Sequence, residues 1–291
     1  MNVEYTRKVL WPGDNSHDFH QFIANFKTMA QTFSVSFIGA GNVAWHLAPA
    51  LDNAGYVIKE VYSRHPSHAE ALTERLYQAE VKGSLDFSTS GSKLFIIAVA
   101  DDAIESIVQE IVLPEDALLV HTSGSVPLEV LTYAAAAQNA VFYPLQTFSK
   151  SKRLNFQGIP IFIETTDDKA WEMLMSLAKT LTSRIQRIAS TERIALHVAA
   201  VFASNFSNHM LALSQDILKQ NRLSFDLLKP LIAETIQKSL DIGPEAAQTG
   251  PARRGDLHTL DRHLAFLQGD EIRAQVYRLI SQQILDKYEP E

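Results

Sequence analysis

Phe33-Ser34-Val35-Ser36-Phe37-Ile38-Gly39-Ala40-Gly41-Asn42-Val43-Ala44 is the stretch on which the fold turns. Residues 33–38 are mostly apolar and rich in β-propensity, Gly39 interrupts them, and Val43 to Leu51 reads as an apolar helix. A strand, a tight turn and a helix follow one another. Downstream the alternation recurs. Tyr56 to Tyr62 reads as a strand and Ala69 to Leu76, after Pro66, as a helix. Lys93 to Ala100 holds the continuous apolar run Leu94 to Val99, as expected of a parallel strand covered on both faces. Asp101 and Asp102 stand at the expected N-cap of a helix over Ala103 to Ile111. Ala117 to Val120 reads as a buried strand, His121 to Ser125 as a polar turn, and about Pro127 to Ala137 as a helix. Strands at Val141 to Tyr143, Ile159 to Glu164 and Arg184 to Ile188, with a helix over Asp168 to Thr180, complete this half.

Strands alternating with helices of this length imply right-handed crossovers and a doubly wound parallel sheet, an α/β half. From Thr191 the pattern becomes all-α. Thr191 to Leu218, Phe225 to Leu240 and Glu271 to Leu285 carry apolar residues at three- and four-residue spacing, as in Ile272, Val276, Leu279, Ile280 and Ile284.

Gly39-Ala40-Gly41-Asn42-Val43-Ala44 fits G-x-G-x-x-[G/A] between strand and helix, the context of a Rossmann-type dinucleotide site. Gly39 permits the turn, Gly41 lets backbone approach a pyrophosphate, Ala44 keeps helix and strand close, and the helix N-terminal amides hold the anion. The expected organisation is an extension over 1–31, a Rossmann-type domain over 32–190 and a helical domain over 191–291 serving substrate and dimerisation. At the end of the second strand, where NAD-binding proteins place an acid on the ribose, stand Ser63 and Arg64. These suit the 2′-phosphate of NADP(H). Glu60 lies inside the strand, a poorer ribose ligand.

Loops at strand carboxyl ends are where open α/β sheets bind ligands. Val99 and Ala100 belong to one, and His121-Thr122-Ser123-Gly124 to another. Thr122 and Ser123 suit the nicotinamide ribose, Ser123 and Gly124 a substrate, and His121 acid–base work. Tyr143 and Gln146 add a phenol and an amide to the same rim. On the helix after Thr191, His197, Ser204 and Asn208 share a stripe with Asn205 nearby, and Val198, Phe202, Phe206 and Leu213 lie opposite. His and amides, rather than Lys and Glu, suggest a face turned to a cleft, with His197 and Asn205 as catalytic candidates and Asn208 as a substrate contact. In Thr249-Gly250-Pro251-Ala252-Arg253-Arg254-Gly255-Asp256, Arg253 or Arg254 suits an anionic substrate, and Thr249 and Arg254 are the substrate candidates. Asp256 could orient it or accept a proton.

Composition excludes much else. Of 291 residues, 46% are hydrophobic and 20% charged, an ordinary globular balance, and a net charge of −7 gives no field for nucleic acid or anionic membranes. With no cysteine there are no disulfides, thiolate-bound metals or cysteine nucleophiles. No metal-ligand spacing, nucleophile elbow or P-loop occurs. No apolar run reaches the roughly 20 residues a membrane span needs, and residues 1–31 lack the pattern of a secretion signal. A cytoplasmic protein is expected.

From Phe33 onward the chain resembles bacterial Rossmann-like proteins with a C-terminal domain of unknown function, labelled NADP oxidoreductases. These are distantly similar to pyrroline-5-carboxylate reductase within the 6-phosphogluconate dehydrogenase superfamily. The likeness rests on Phe37 to Ala44, on His121 to Gly124, on Pro144-Leu145-Gln146-Thr147-Phe148, on His197 with Asn205, and on Thr249-Gly250-Pro251 with Arg254-Gly255-Asp256. It implies NADP(H) binding, a 6-phosphogluconate dehydrogenase-like helical domain and a homodimer through those helices, and it brings no substrate. Hydroxyacid dehydrogenases of the superfamily place a lysine four residues before a helical asparagine. Here that position is Val201. The expected activity is reduction of a small polar imine or carbonyl compound in the interdomain cleft. The alternative is a redox-inactive NADP-binding sensor or structural module.

Overall fold

The computed structural model describes residues 33–288. The expected extension over 1–31 lies outside them. The chain divides into two compact units between Ala200 and Val201.

The first unit is built on β1 (Ser34–Ile38), β2 (Val57–Tyr62), β3 (Glu80–Lys82), β4 (Leu94–Ile97), β5 (Leu118–His121), β6 (Gln138–Pro144), β7 (Ile161–Glu164) and β8 (Ile185–Arg187). They form one sheet in the order β3-β2-β1-β4-β5-β6-β7-β8. This is the doubly wound Rossmann-type sheet. Its helices are α1 (Asn42–Asn53), α2 (Pro66–Thr73), α3 (Asp101–Glu110), α4 (Asp168–Lys179) and α5 (Ser190–Ala200). Alternate residues of a strand face opposite sides, and the core divides accordingly. Leu94 and Ile96 pack with Val35, Phe37, Val120, Leu47, Leu51 and Leu174. Phe95 and Ile97 pack with Ile38, Leu119, Ile104, Val108 and Leu131 on the other face. In register, Ile38 lies beside Ile97, Ile97 beside His121 and His121 beside Val141, so β1, β4 and β5 end on one carboxyl edge, past which β6 runs on to Pro144.

Several expectations are corrected. β6 and β7 are antiparallel. Only a loop with a single 3₁₀ turn at Phe156–Gly158 joins them, without the crossover helix that parallel neighbours require. β3 escaped the sequence reading because it is a short edge strand with no apolar pattern. The helix expected over about 127–137 is a 3₁₀ segment, Leu128–Tyr133, because Ala134 is already extended and the chain runs into β6. The cap of α3 is Ala100, and Asp101 and Asp102 occupy its first turn.

In the second unit a π-helical segment, Val201–Phe206, precedes α6 (Ser207–Gln220). Then come α7 (Lys229–Ile242), α8 (Pro244–Ala247), α9 (Leu257–Phe266) and α10 (Glu271–Lys287), with no strand among the described residues. The uninterrupted helix expected over 191–218 is thus broken. A π segment bonds i to i+5 and slips the phase of every residue beyond it, so the stripe drawn at a constant 100° per residue does not continue from His197 to Asn208. Among the described residues no helix is long and apolar enough to cross a membrane.

Candidate functional site

Gly39 has φ +110°, and its N–H donates to Tyr62 O at 2.7 Å. A Cβ there would overlap the Ala98 carbonyl oxygen and lie 2.7 Å from Val99 Cγ1. Glycine is therefore demanded by the fold itself. Gly41 differs, since a Cβ on it would meet only Ala98 O, at an ordinary 3.5 Å. Among the described residues no neighbour requires a glycine at 41. Behind it α1 begins with no side-chain cap and no acidic residue in its first turn, which leaves N-terminal amides and a positive dipole end for an anion. Ala44 is fully buried against the sheet.

Around this turn lies a cavity of about 520 Å³, lined in part by Gly39, Ala40, Gly41, Ser63, Arg64, Val99 and Ala100. Seven of the sequence-expected cofactor residues thus line one cavity. Asn42, Val43, Thr122 and Ser123 are not among the lining residues. His65 and His68 line it too, their ring centroids 5.3 Å apart, and the sequence reading missed them. Glu60 is engaged inside the sheet, accepting the hydroxyls of Ser36 and Ser90 and pairing with Lys82 at 3.6 Å.

The His121 to Gly124 turn is buried and holds itself. His121 Nδ1 accepts the Ser123 N–H at 3.2 Å, and Ser123 Oγ accepts from the amides of Ser125 and Val126 at 3.1 and 3.0 Å. Burial, helped by the nearby Arg193 charge, pushes the His121 imidazole down to about 4, so it is neutral near pH 7. Its ordinary value is about 6.5. The unfolded chain therefore binds this proton more tightly, and the imidazole's contribution to stability is lost as pH falls from about 6.5 toward 4. Urea unfolding at about pH 7.5 and pH 5 should show a loss of roughly 2 kcal/mol that His121→Asn lacks. Equal losses in the two proteins would refute the neutral buried imidazole.

Tyr143 is buried near the end of β6, two residues beyond the level at which Val141 pairs with His121. Its hydroxyl lies 3.0 Å from Nδ1 of the part-buried His197, with the two rings 5.9 Å apart and edge-on. Burial raises the phenol above its ordinary range while Arg193 opposes the shift, so Tyr143 stays protonated. Gly124 makes room for the pair: a Cβ there would lie 2.7 Å from His197 Cγ and 2.8 Å from Tyr143 Cζ. Gln146 turns back on its own loop and accepts the Thr147 N–H at 2.8 Å.

In the second unit Asn205 and Asn208 are exposed. Thr249 accepts a bond from the Gln248 amide on its carbonyl, at 2.9 Å. The Arg254 N–H closes its loop onto Gly250 O at 3.3 Å. Asp256 caps α9, accepting the Thr259 N–H at 3.0 Å, and that bonding holds its carboxyl below the usual range. Among the described residues no group of three metal-ligating side chains occurs.

Residues 22–145 match a family described as a Rossmann-like domain, and residues 159–284 match a domain of unknown function, DUF2520. No curated protein matches. A crystal structure from Bacteroides fragilis, described as a "putative NADP oxidoreductase", is 39% identical, covers 88% of this chain and 99% of its own, and superposes with a TM-score of 0.81. Two more distant structures share the fold. A reductive aminase from Aspergillus terreus, in complex with NADPH and ethyl levulinate, has a TM-score of 0.66 at 14% identity over 87% of this chain and 92% of its own. An imine reductase from Myxococcus stipitatus, in complex with NADP+, has a TM-score of 0.61 at 15% identity over 87% of this chain and 93% of its own.

Proposed function

Since this chain belongs to the same family as the Bacteroides fragilis protein, we propose that it is an NADP(H)-dependent oxidoreductase that reduces an imine or carbonyl group of a small polar molecule. The observation that carries this reading is the contact at 3.0 Å between Tyr143, on the sheet that also presents the glycine turn and the uncapped start of α1, and His197 of α5. Imine chemistry accords with the reductive aminase and the imine reductase that share the fold.

The backbone from Gly39 to Val43 would hold the pyrophosphate, and Ser63 and Arg64 the 2′-phosphate. Gly41 fits this assignment, because the fold leaves its Cα face open. Bound NADPH supplies the hydride. Reduction of C=O or C=N also needs a proton on the heteroatom, and the His197 imidazole delivers it. The Tyr143 hydroxyl orients that ring. His121, held neutral and inside, is left to support the Ser123 turn.

Arg64→Ala should weaken NADPH about tenfold to hundredfold and leave NADH unchanged, because a charge-assisted pair with phosphate is worth roughly 1.5–3 kcal/mol. Calorimetry with both nucleotides on wild type and variant checks this, and an NADPH affinity unchanged by the substitution would remove the 2′-phosphate assignment.

A homodimer through the helical unit belongs to the same proposal. α7 buries none of its residues, and Leu231, Leu240, Ile272 and Leu279 are 62%, 77%, 76% and 62% exposed. Apolar helix faces of this extent need a cover, and a second copy is the one proposed. Sedimentation equilibrium should give twice the chain mass.

A further inference from the structure

We infer that Arg193 is a positioning residue for the proton-delivering pair, a latch that holds the Gly124 turn under the His197 ring. This inference rests on the proposed reductase reading for its kinetic consequence but not for its geometry.

Arg193 is 0% exposed, the largest fully buried side chain and the only buried lysine or arginine among the described residues. All three of its nitrogens are spent within the protein. Nε donates to Glu164 Oε2 at 2.8 Å, and the two terminal nitrogens donate to the carbonyls of Ser123 at 3.1 Å and Val126 at 2.8 Å. Those two carbonyls flank Gly124 and Ser125, so one guanidinium grips both ends of the turn. The other Glu164 oxygen accepts the hydroxyl of Ser190, the first residue of α5. Strand β7, the strand-end turn and the start of α5 therefore meet on one ion pair.

Arg193 and His197 stand one helical turn apart in α5 and so lie on one face. The residue that grips the turn thereby sets the height at which the imidazole reaches Tyr143 and rests on Gly124. Stability does not account for a charge here. Apolar side chains of similar volume commonly replace buried ion pairs without loss, whereas a planar fork fixes several partners at once. Nor is Arg193 a ligand group, since it is fully buried and each of its three nitrogens already bonds within the protein.

The test uses Arg193→Lys, which keeps the charge beside Glu164 but offers a point donor that cannot span both carbonyls, and Arg193→Met, which keeps the bulk. With ¹³C-histidine labelling, the His197 ring signal, assigned through His197→Gln, should move on Tyr143→Phe in the wild-type background and stay still in the Arg193→Lys background. A response that persists in Arg193→Lys, or one absent from the wild type, overturns the latch. In turnover, Arg193→Lys should lower kcat about tenfold with little change in KM, and cost almost nothing when His197 is already Gln. An equal loss in both backgrounds would mark a merely structural arginine and overturn the assignment, as would failure of both Arg193 variants to fold. The labelling arm needs no substrate, so the reductase reading can fail while the latch stands.

Discussion

A His197→Gln variant is expected to bind NADPH as the wild type does and to turn over imines or carbonyls about 10²–10⁴-fold more slowly, the usual contribution of a positioned general acid. Glutamine keeps the size and the hydrogen bond to the Tyr143 hydroxyl, which lies 3.0 Å from His197 Nδ1. What it removes is the transferable proton. His121 cannot substitute, because its imidazole is buried and pushed down to about 4. Steady-state kinetics beside NADPH calorimetry separate the outcomes. Turnover near the wild-type rate would move proton delivery to Tyr143, and loss of the folded state would make His197 a core residue.

The two glycines of the turn should part company just as sharply. Gly39→Ala is expected to destabilise the first unit by about 2–6 kcal/mol, the sum of a side chain in a disallowed backbone region and an overlap the core must absorb. At φ +110° its new Cβ meets the backbone carbonyl of Ala98, the residue just after β4, whose own N–H is tied to Ile38 O at 2.8 Å. Gly41→Ala should change stability by less than about 1 kcal/mol, because φ −76° suits any residue and the nearest atom is 3.5 Å away. Its cost should appear as roughly tenfold or more in NADPH affinity, where the methyl stands between backbone and pyrophosphate. Urea unfolding and calorimetry on both variants check the separation. A Gly41→Ala protein that binds NADPH normally would contradict the assignment of this turn to the pyrophosphate.

The sheet was legible because its strands are covered on both faces. Leu94 to Ile97 and Leu118 to Val120 read as apolar runs, and the glycine motif lay between strand and helix, as its chemistry requires. Elements governed by short-range accident were not legible. The three-residue edge strand at Glu80–Lys82 has no core face, and the π segment at Val201–Phe206 leaves no periodic trace, because its residues remain helical in composition. At the site, His121, Tyr143 and His197 could be named one by one. That Tyr143 and His197 touch while His121 is shut away depends on pairing between β5 and β6 and on the path of α5, which no local pattern encodes. Arg193 passed unnoticed as one more helical arginine, although its place one turn before His197 was the available signal. His68 was likewise missed, because the sequence pattern starts this helix only at Ala69, whereas α2 begins at Pro66.

Hydride transfer is the central claim, and deuterium tests it most directly. Wild-type protein, given NADPH deuterated at the transferring carbon and a set of small cyclic imines, aldehydes, and ketones mixed with amines, should yield an amine or alcohol. That product should carry one deuterium on the former C=N or C=O carbon, and His197→Gln should form it at least tenfold more slowly. NADPH that binds yet passes deuterium to none of these compounds would contradict the account and leave a nucleotide-binding module without redox chemistry.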